Sequence, residues 1–334
     1  MYKMIKLSLR LSKLKIHHIK DNIKINNNRQ YSDFIKVVEV GPRDGLQNEP
    51  KIVPTNTKIQ LINKLSETGL RTIEATSFVS PKWIPQMADN IELYKQIKKN
   101  PDISYPVLVP NLKGLDNALK VGVKEIAIFG AASETFTKKN INCSIEESVT
   151  NFTAVIKQAK EQNVKVRGYI SCIVGCPYEG YIEPKIVVNL SSLMLDLGCY
   201  EISLGDTIGV GTPKYIKRLL KELQKISSCD MSKFALHCHD TYGQAIANIY
   251  VGLENGIRVF DSSVAGLGGC PYADGASGNV ATEDLLYLLH GQGLKTGVNI
   301  NKIVEIGNYI CKEIDRKNQS KAGLAIFAKK RHQF

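Results

Sequence analysis

FALHCHDTYGQAIANIYVGLENG, residues 234–256, holds in one unit the pattern that decides the fold. A short apolar run, Phe234 to Cys238, gives way to a polar loop, and the loop to an amphipathic stretch that closes at Gly256. A helix placed after a strand carries the chain back over the sheet, so the next strand lies parallel to the first. Seven other short, β-branched runs have the same sequel, at 35–40, 71–75, 105–109, 125–129, 164–170, 200–204 and 258–264. Helix-like segments such as 56–67, 144–162 and 212–226 separate them, and several open on a capping residue or proline, as at Thr212 and Pro213.

Eight such βα units predict an α/β fold, a (β/α)8 TIM barrel, over a catalytic domain at 31–320. An open doubly wound sheet is the competing architecture. No G-x-G-x-x-G follows the first strand, however, and the polar clusters are spread over many strand ends rather than gathered at one switch point. Residues 299–317, NINKIVEIGNYICKEIDRK, read as one extra C-terminal helix, and 321–334 as a basic, poorly patterned tail.

The 334 residues, 43% hydrophobic and 23% charged, suffice for a large core. No apolar run approaches the roughly 18–20 residues of a membrane span, so no membrane partner is expected. The formal charge of +12 suggests nucleic acid until it is located. Residues 1–30 carry eight basic residues against the single acid Asp21, a surplus of seven, and the remaining charge is scattered rather than striped. A nucleic-acid partner is therefore not expected. In that leader Lys3, Lys6, Arg10, Lys13, His17 and Lys20 follow spacings of three and four. A basic, acid-poor, amphipathic N-terminus reads as a transit peptide for the mitochondrial matrix, the competing reading being a disordered basic leader. The eight cysteines are spread along the chain with no secretory segment before them and read as reduced thiols.

In a barrel the functional groups gather at the C-terminal ends of the strands. Those ends carry Arg43 and Asp44, Glu74, Asp206, and the pair His237 and His239, and the eighth runs into a glycine-rich loop with Cys270 and Asn279. Side chains alternate along a strand, so His237 and His239 share a face and Cys238 points the other way. Two imidazoles with the Asp44 carboxylate, and Asn279 for a further oxygen, suit a hard divalent cation, Mg2+ or Mn2+. The plainer reading is a pair of hydrogen-bonded surface histidines. Arg43 is either an ion-pair cap for its strand or a stabiliser of oxyanion charge. Glu74 either orients that arginine or is a buried structural acid. Glycines 266, 268, 269, 275 and 278 make the loop around Cys270 a hinge or cover, and the thiol on it a proton carrier or nucleophile.

GPRDGLQNE (41–49), IEATSFVSPKWIPQMAD (73–89), TKKNINCSIEES (137–148), GCPYEG (175–180), YEISLGDTIGVGTP (200–213), HCHDTYGQA (237–245) and SVAGLGGCPYADGASGNVATED (263–284) together resemble the hydroxymethylglutaryl-CoA lyase family. The resemblance spans about residues 33–320. It implies cleavage of 3-hydroxy-3-methylglutaryl-CoA, a CoA thioester, to acetyl-CoA and acetoacetate, a reaction of ketone-body formation and leucine breakdown. It further implies Asp44, His237, His239 and Asn279 as metal ligands, Arg43 as substrate-binding and catalytic, Cys270 as the active-site cysteine, and Glu74, Asp206 and Glu283 as supporting acids. A homodimer is common in the family. His237 and Asp206 are the two candidates for the base that takes the hydroxyl proton, and Lys138 and Lys139 for contacts to CoA phosphates. The ending KKRHQF lacks a peroxisomal tripeptide, and no cysteine follows Cys311. Related Claisen-type synthases share the arginine-aspartate and H-x-H pattern, but commonly read RDGEQ where this chain has RDGLQ. A scaffold without activity would be expected to have lost one of Arg43, Asp44, His237, His239 and Cys270, and all are present.

Overall fold

A computed structural model of the chain describes residues 32–225, 230–269 and 278–331. The sheet closes at residues 72–77. Thr72–Ile73 pairs in parallel with Lys36–Glu39, and Thr76–Ser77 pairs in parallel with Val107–Leu108. Between these two pieces the backbone keeps bonding to both sides, Glu74 N–H donating to the Glu39 carbonyl and Ala75 N–H to that of Pro106, each at 2.9 Å. The two ends of the hydrogen-bonded strand order are thus halves of one strand, and the sheet shuts on itself as a (β/α)8 barrel. The other strands of the barrel are Glu125–Ala131, Lys165–Ser171, Glu201–Asp206, Phe234–Cys238 and Val259–Ser262, which pairs back onto the first. Each of the eight expected runs holds a strand, with ends that coincide or differ by one or two residues.

Closure gives the strands two buried faces. Ile202, Leu204, Phe234, Leu236 and Phe260 point outward into the large apolar layer beneath the helices. Val38, Val40, Ala235 and Val259 point inward, as do Leu108, Ala127 and Tyr169. The same inward face carries the buried charges Arg167, Glu201 and Asp261. Local signals set the helix ends. Ser144 caps the helix Ile145–Glu161 reciprocally, its hydroxyl accepting from Glu147 N–H at 3.1 Å while the Glu147 carboxylate accepts from Ser144 N–H at 2.7 Å. Such a box stabilises a helix by about 1 kcal/mol.

After the eighth barrel helix, Thr282–Gly291, come two more, Ile300–Glu313 and Lys321–Arg331. The first is the expected extra helix. The second corrects the expectation of an unpatterned tail over 321–334, at least for 321–331. Its start is held from outside: Asp284 accepts from the Ser320 hydroxyl at 2.8 Å, from Ala322 N–H at 2.6 Å and from Lys321 N–H at 3.3 Å. A cap supplied from 36 residues upstream leaves no mark in the local sequence. The expected leader, 1–30, lies outside the described residues, and none of the described helices is long and apolar enough to cross a membrane.

Candidate active site

The first strand runs straight into a tight π-helical turn, Gly41–Gly45. Three amides, those of Arg43, Asp44 and Gly45, converge on the Val40 carbonyl at 3.2, 2.8 and 3.1 Å, which fixes where the arginine and the aspartate leave the backbone. Arg43 Nη1 donates to Asp44 Oδ1 at 2.5 Å and Nη2 to Glu74 Oε2 at 3.0 Å. That Glu74 oxygen also accepts from the Tyr169 hydroxyl at 2.8 Å, and the Tyr169 ring lies 5.5 Å from the Arg43 guanidinium carbon. Burial pulls the Arg43 pKa down, but the charges of Glu74 and Asp44 outweigh it and hold the group still more firmly protonated.

Asp44, His237 and His239 each offer a donor atom, and these lie within 4.8 Å of one another. His237 Nε2 is 3.3 Å from His239 Nε2 and 3.7 Å from Asp44 Oδ2. Asn279 joins them through its Nδ2, 2.8 Å from Asp44 Oδ2, carried there by a segment that bridges antiparallel to His239. Gly268 makes that approach possible: its φ of 133° is left-handed, and a Cβ there would sit 2.8 Å from the Asn279 amide nitrogen. Burial would raise the Asp44 pKa, yet Arg43 and the two imidazoles hold it well below the carboxylate range. Burial and the charge of His237 lower the His239 pKa to about 4. His237 is also pulled down by burial, but its hydrogen bond to Asp261 and the charge of Asp44 raise it overall. An ionised carboxylate, a neutral imidazole and a second imidazole whose Nε2 faces both fit a divalent cation.

The cluster opens into a cavity of about 700 Å3 lined by Arg43, Asp44, Tyr169, Thr207, His237 and His239. Trp83, Lys139 and Asn142 also border it. A second hollow, about 520 Å3 beside Ser66, Arg71, Asn100 and Asp102, precedes the second and third strands and so opens at the opposite end of the barrel. It holds none of the cluster.

The structure brings Arg43, Asp44, Glu74, His237, His239 and Asn279 together. Asp206 is not with them. It is the register partner of Cys238, so it shares the outward face while His237 pairs with Gly205 on the inner one. Asp206 Oδ2 accepts from Gly211 N–H at 2.9 Å, Oδ1 has no partner among the described residues, and burial raises the group to about 6. Glu283 lies under the eighth loop, both its oxygens accepting from Ala265 N–H at 3.1 and 2.9 Å. Lys138 pairs with Glu134, whereas Lys139 sits over the Tyr178 ring at the cavity border. Cys270 lies outside the described residues. Tyr169, Arg167 and Asp261 are members of the site that sequence reading missed. The available signal is a charged residue at alternate positions of an otherwise apolar strand, as in KVRGYIS and VFDS.

A closed βα barrel with an aspartate, two histidines and an arginine gathered at its strand ends has the form of a barrel enzyme with a candidate cation site. The HMGL-like family model matches residues 34–310. The chain is 60% identical over 291 residues, 87% of its length and 89% of the relative's, to the mitochondrial hydroxymethylglutaryl-CoA lyase of Macaca fascicularis. It is 58% identical over 88% of its length, and 79% of the relative's, to the cytoplasmic 3-hydroxy-3-methylglutaryl-CoA lyase of Homo sapiens. The crystal structure of hydroxymethylglutaryl-CoA lyase from Pseudomonas aeruginosa superposes with a TM-score of 0.86 at 51% identity, covering 90% of this chain and 99% of that one. The chain belongs to the HMGL-like family, and its activity is that of the hydroxymethylglutaryl-CoA lyases.

Proposed function

We propose that the cavity above Arg43 is where 3-hydroxy-3-methylglutaryl-CoA is cleaved to acetyl-CoA and acetoacetate, with a Mg2+ or Mn2+ ion held by Asp44, His237, His239 and Asn279. The observation that carries this reading is the meeting of Asp44, His237 and His239 within 4.8 Å beside a buried, doubly paired arginine. A divalent cation at that point supplies Lewis-acid stabilisation of oxygen-centred negative charge, a contribution of several kcal/mol.

The chain's own residues do the rest. Breaking the carbon–carbon bond requires the tertiary hydroxyl to lose its proton and the departing thioester enolate to be stabilised and then protonated at carbon. Arg43 is oriented before substrate arrives, pinned by Asp44 and Glu74 and set over Tyr169, so it meets enolate charge without reorganising. The hydroxyl proton passes to water in the open cavity, because both imidazoles would have their lone pair committed to the cation and Arg43 holds Asp44 ionised. Asp206, on the outer face of its strand, is assigned a positioning role, holding the Thr207–Gly211 turn through Gly211 N–H. Cys270, which falls between Gly268 and Asn279 in the sequence, is the acid that protonates the enolate carbon. Lys139, which borders the cavity, is the candidate for a CoA phosphate.

The basic leader over 1–30, together with the mitochondrial name of the macaque relative, supports import into the mitochondrial matrix, and a homodimer is the assembly we expect. The deciding experiment is a coupled assay on the purified chain before and after exhaustive chelation. Acetoacetate released from hydroxymethylglutaryl-CoA, lost on chelation and restored by Mg2+ or Mn2+, is the expected result. Full turnover after chelation would refute the metal site. CoA released from acetyl-CoA only when a 2-oxo acid is added would mark a synthase instead.

A further inference from the structure

The two imidazoles of H-x-H look equivalent in sequence but are held differently. Asp261, on the eighth strand, is the register partner of His237, and its Oδ2 lies 3.2 Å from His237 Nδ1. The same carboxylate takes Arg167 through both Nη2 at 2.7 Å and Nη1 at 3.1 Å, and the Ser203 hydroxyl at 2.7 Å. Arg167 is braced in turn by Glu201, Nε to Oε1 at 2.6 Å, and Glu201 by Lys36 at 3.1 Å. This column stands inside the barrel, with Arg167 and Asp261 each 1% exposed. His239 has no such support: its Nδ1 is buried and has no partner among the described residues.

We infer that Asp261 is a positioning residue that locks His237 in the tautomer carrying hydrogen on Nδ1, and so presets its Nε2 lone pair for the cation. A carboxylate bound in the fork of an arginine only accepts hydrogen bonds, so the hydrogen between Asp261 and His237 belongs to the imidazole. A neutral ring with hydrogen on Nδ1 has its lone pair on Nε2, the atom that faces His239 Nε2 at 3.3 Å and Asp44 Oδ2 at 3.7 Å. An unassisted imidazole favours the opposite tautomer, with hydrogen on Nε2 and pointing into the cation site. The carboxylate–histidine pairing also fixes the ring plane, and removing such an outer partner typically weakens metal binding about 10- to 100-fold. Arg167, Ser203 and Glu201 serve by holding the Asp261 carboxylate still.

The inference rests on His237 being a ligand, and the experiment separates the two ideas. In the metal-free wild type, ring 15N spectra above the titration of His237 should show hydrogen on Nδ1 and a bare Nε2. Asp261→Asn, compared with wild type for Mn2+ binding by electron spin resonance and for unfolding midpoint, should bind about 10- to 100-fold more weakly. A wild-type His237 with hydrogen on Nε2, or a folded Asp261→Asn with unchanged Mn2+ affinity, would overturn the inference. The tautomer reading on wild type decides the matter if the variant does not fold. Wild-type protein that shows the Nδ1 form but binds no Mn2+ would instead refute the ligand reading, and with it the effect on affinity.

Discussion

Arg43 Nη2 lies 3.0 Å from Glu74 Oε2, joining the turn after the first strand to the middle of the second. Both side chains are buried, Glu74 at 1% exposure, so neither charge has water to fall back on. Glu74→Ala is therefore expected to cost about 3 kcal/mol in guanidinium unfolding, the lower end for a broken buried pair because Asp44 still pairs with Arg43. Turnover should fall further than the loss of stability explains. A variant as stable and as active as wild type would show that Glu74 neither supports the barrel nor orients the arginine.

His239→Ala should separate metal binding from folding. The ring makes no hydrogen bond at Nδ1 among the described residues, so its removal disturbs little else. Calorimetric titration with Mn2+ should show affinity reduced more than about 100-fold, beyond the loss typical of an outer partner, while the melting temperature of the metal-free protein stays within a few degrees. Equal Mn2+ affinity would remove His239 from the site.

Cys270→Ala tests the proposed proton donor. Loss of a positioned general acid lowers kcat by about 10²- to 10⁴-fold with little change in KM. Steady-state kinetics with saturating Mg2+ would check it, and unchanged kcat would exclude the thiol from the reaction.

Glu283 makes stability depend on pH. Burial raises its pKa from 4.5 to about 8, against the hydrogen bond from Ala265 N–H. As pH rises through this window the unfolded chain gives up the proton first, and the folded state retains it until about 8. The folded state binds more protons, so unfolding free energy falls with rising pH. Relative to Glu283→Gln, wild type should lose stability steadily between those values, by up to about 5 kcal/mol, and level off above. Parallel stability curves for the two proteins would contradict the shift.

Asp284→Ala addresses the C-terminal helix. The carboxylate accepts from Ser320, Lys321 and Ala322 at the start of Lys321–Arg331. Its loss should cost about 1 kcal/mol and speed amide exchange over the first turn, leaving the barrel strands protected. Exchange followed by mass spectrometry would reveal the pattern, and unaltered protection at Ala322 would show that the helix start needs no cap.

The strands and most helices could be read from the chain because their signals are local. FALHC alternates with a period of two, so His237 and His239 share a face whatever surrounds them, and Ser144 with Glu147 carries both halves of its cap within four residues. The helix at 321–331 escaped because its cap, Asp284, belongs to another helix. Asp206 shows the same limit: alternation puts it opposite Gly205, but which parity faces the cavity depends on the neighbouring strands. Register with His237 and Cys238 supplies the answer, and it turns Asp206 outward.

By itself, the order of residues determined the eight βα units, the parallel direction they impose and the side-chain types available at each strand end, since these depend on contacts within a few residues. Only the closed barrel decided that Asp261 would stand beside His237, that Glu74 would reach Arg43, and that two halves of one strand would join the ends of the sheet. Those contacts join residues 24 or more positions apart, and at such separation the neighbours are chosen by strand register and packing rather than by any preference written in the adjoining residues.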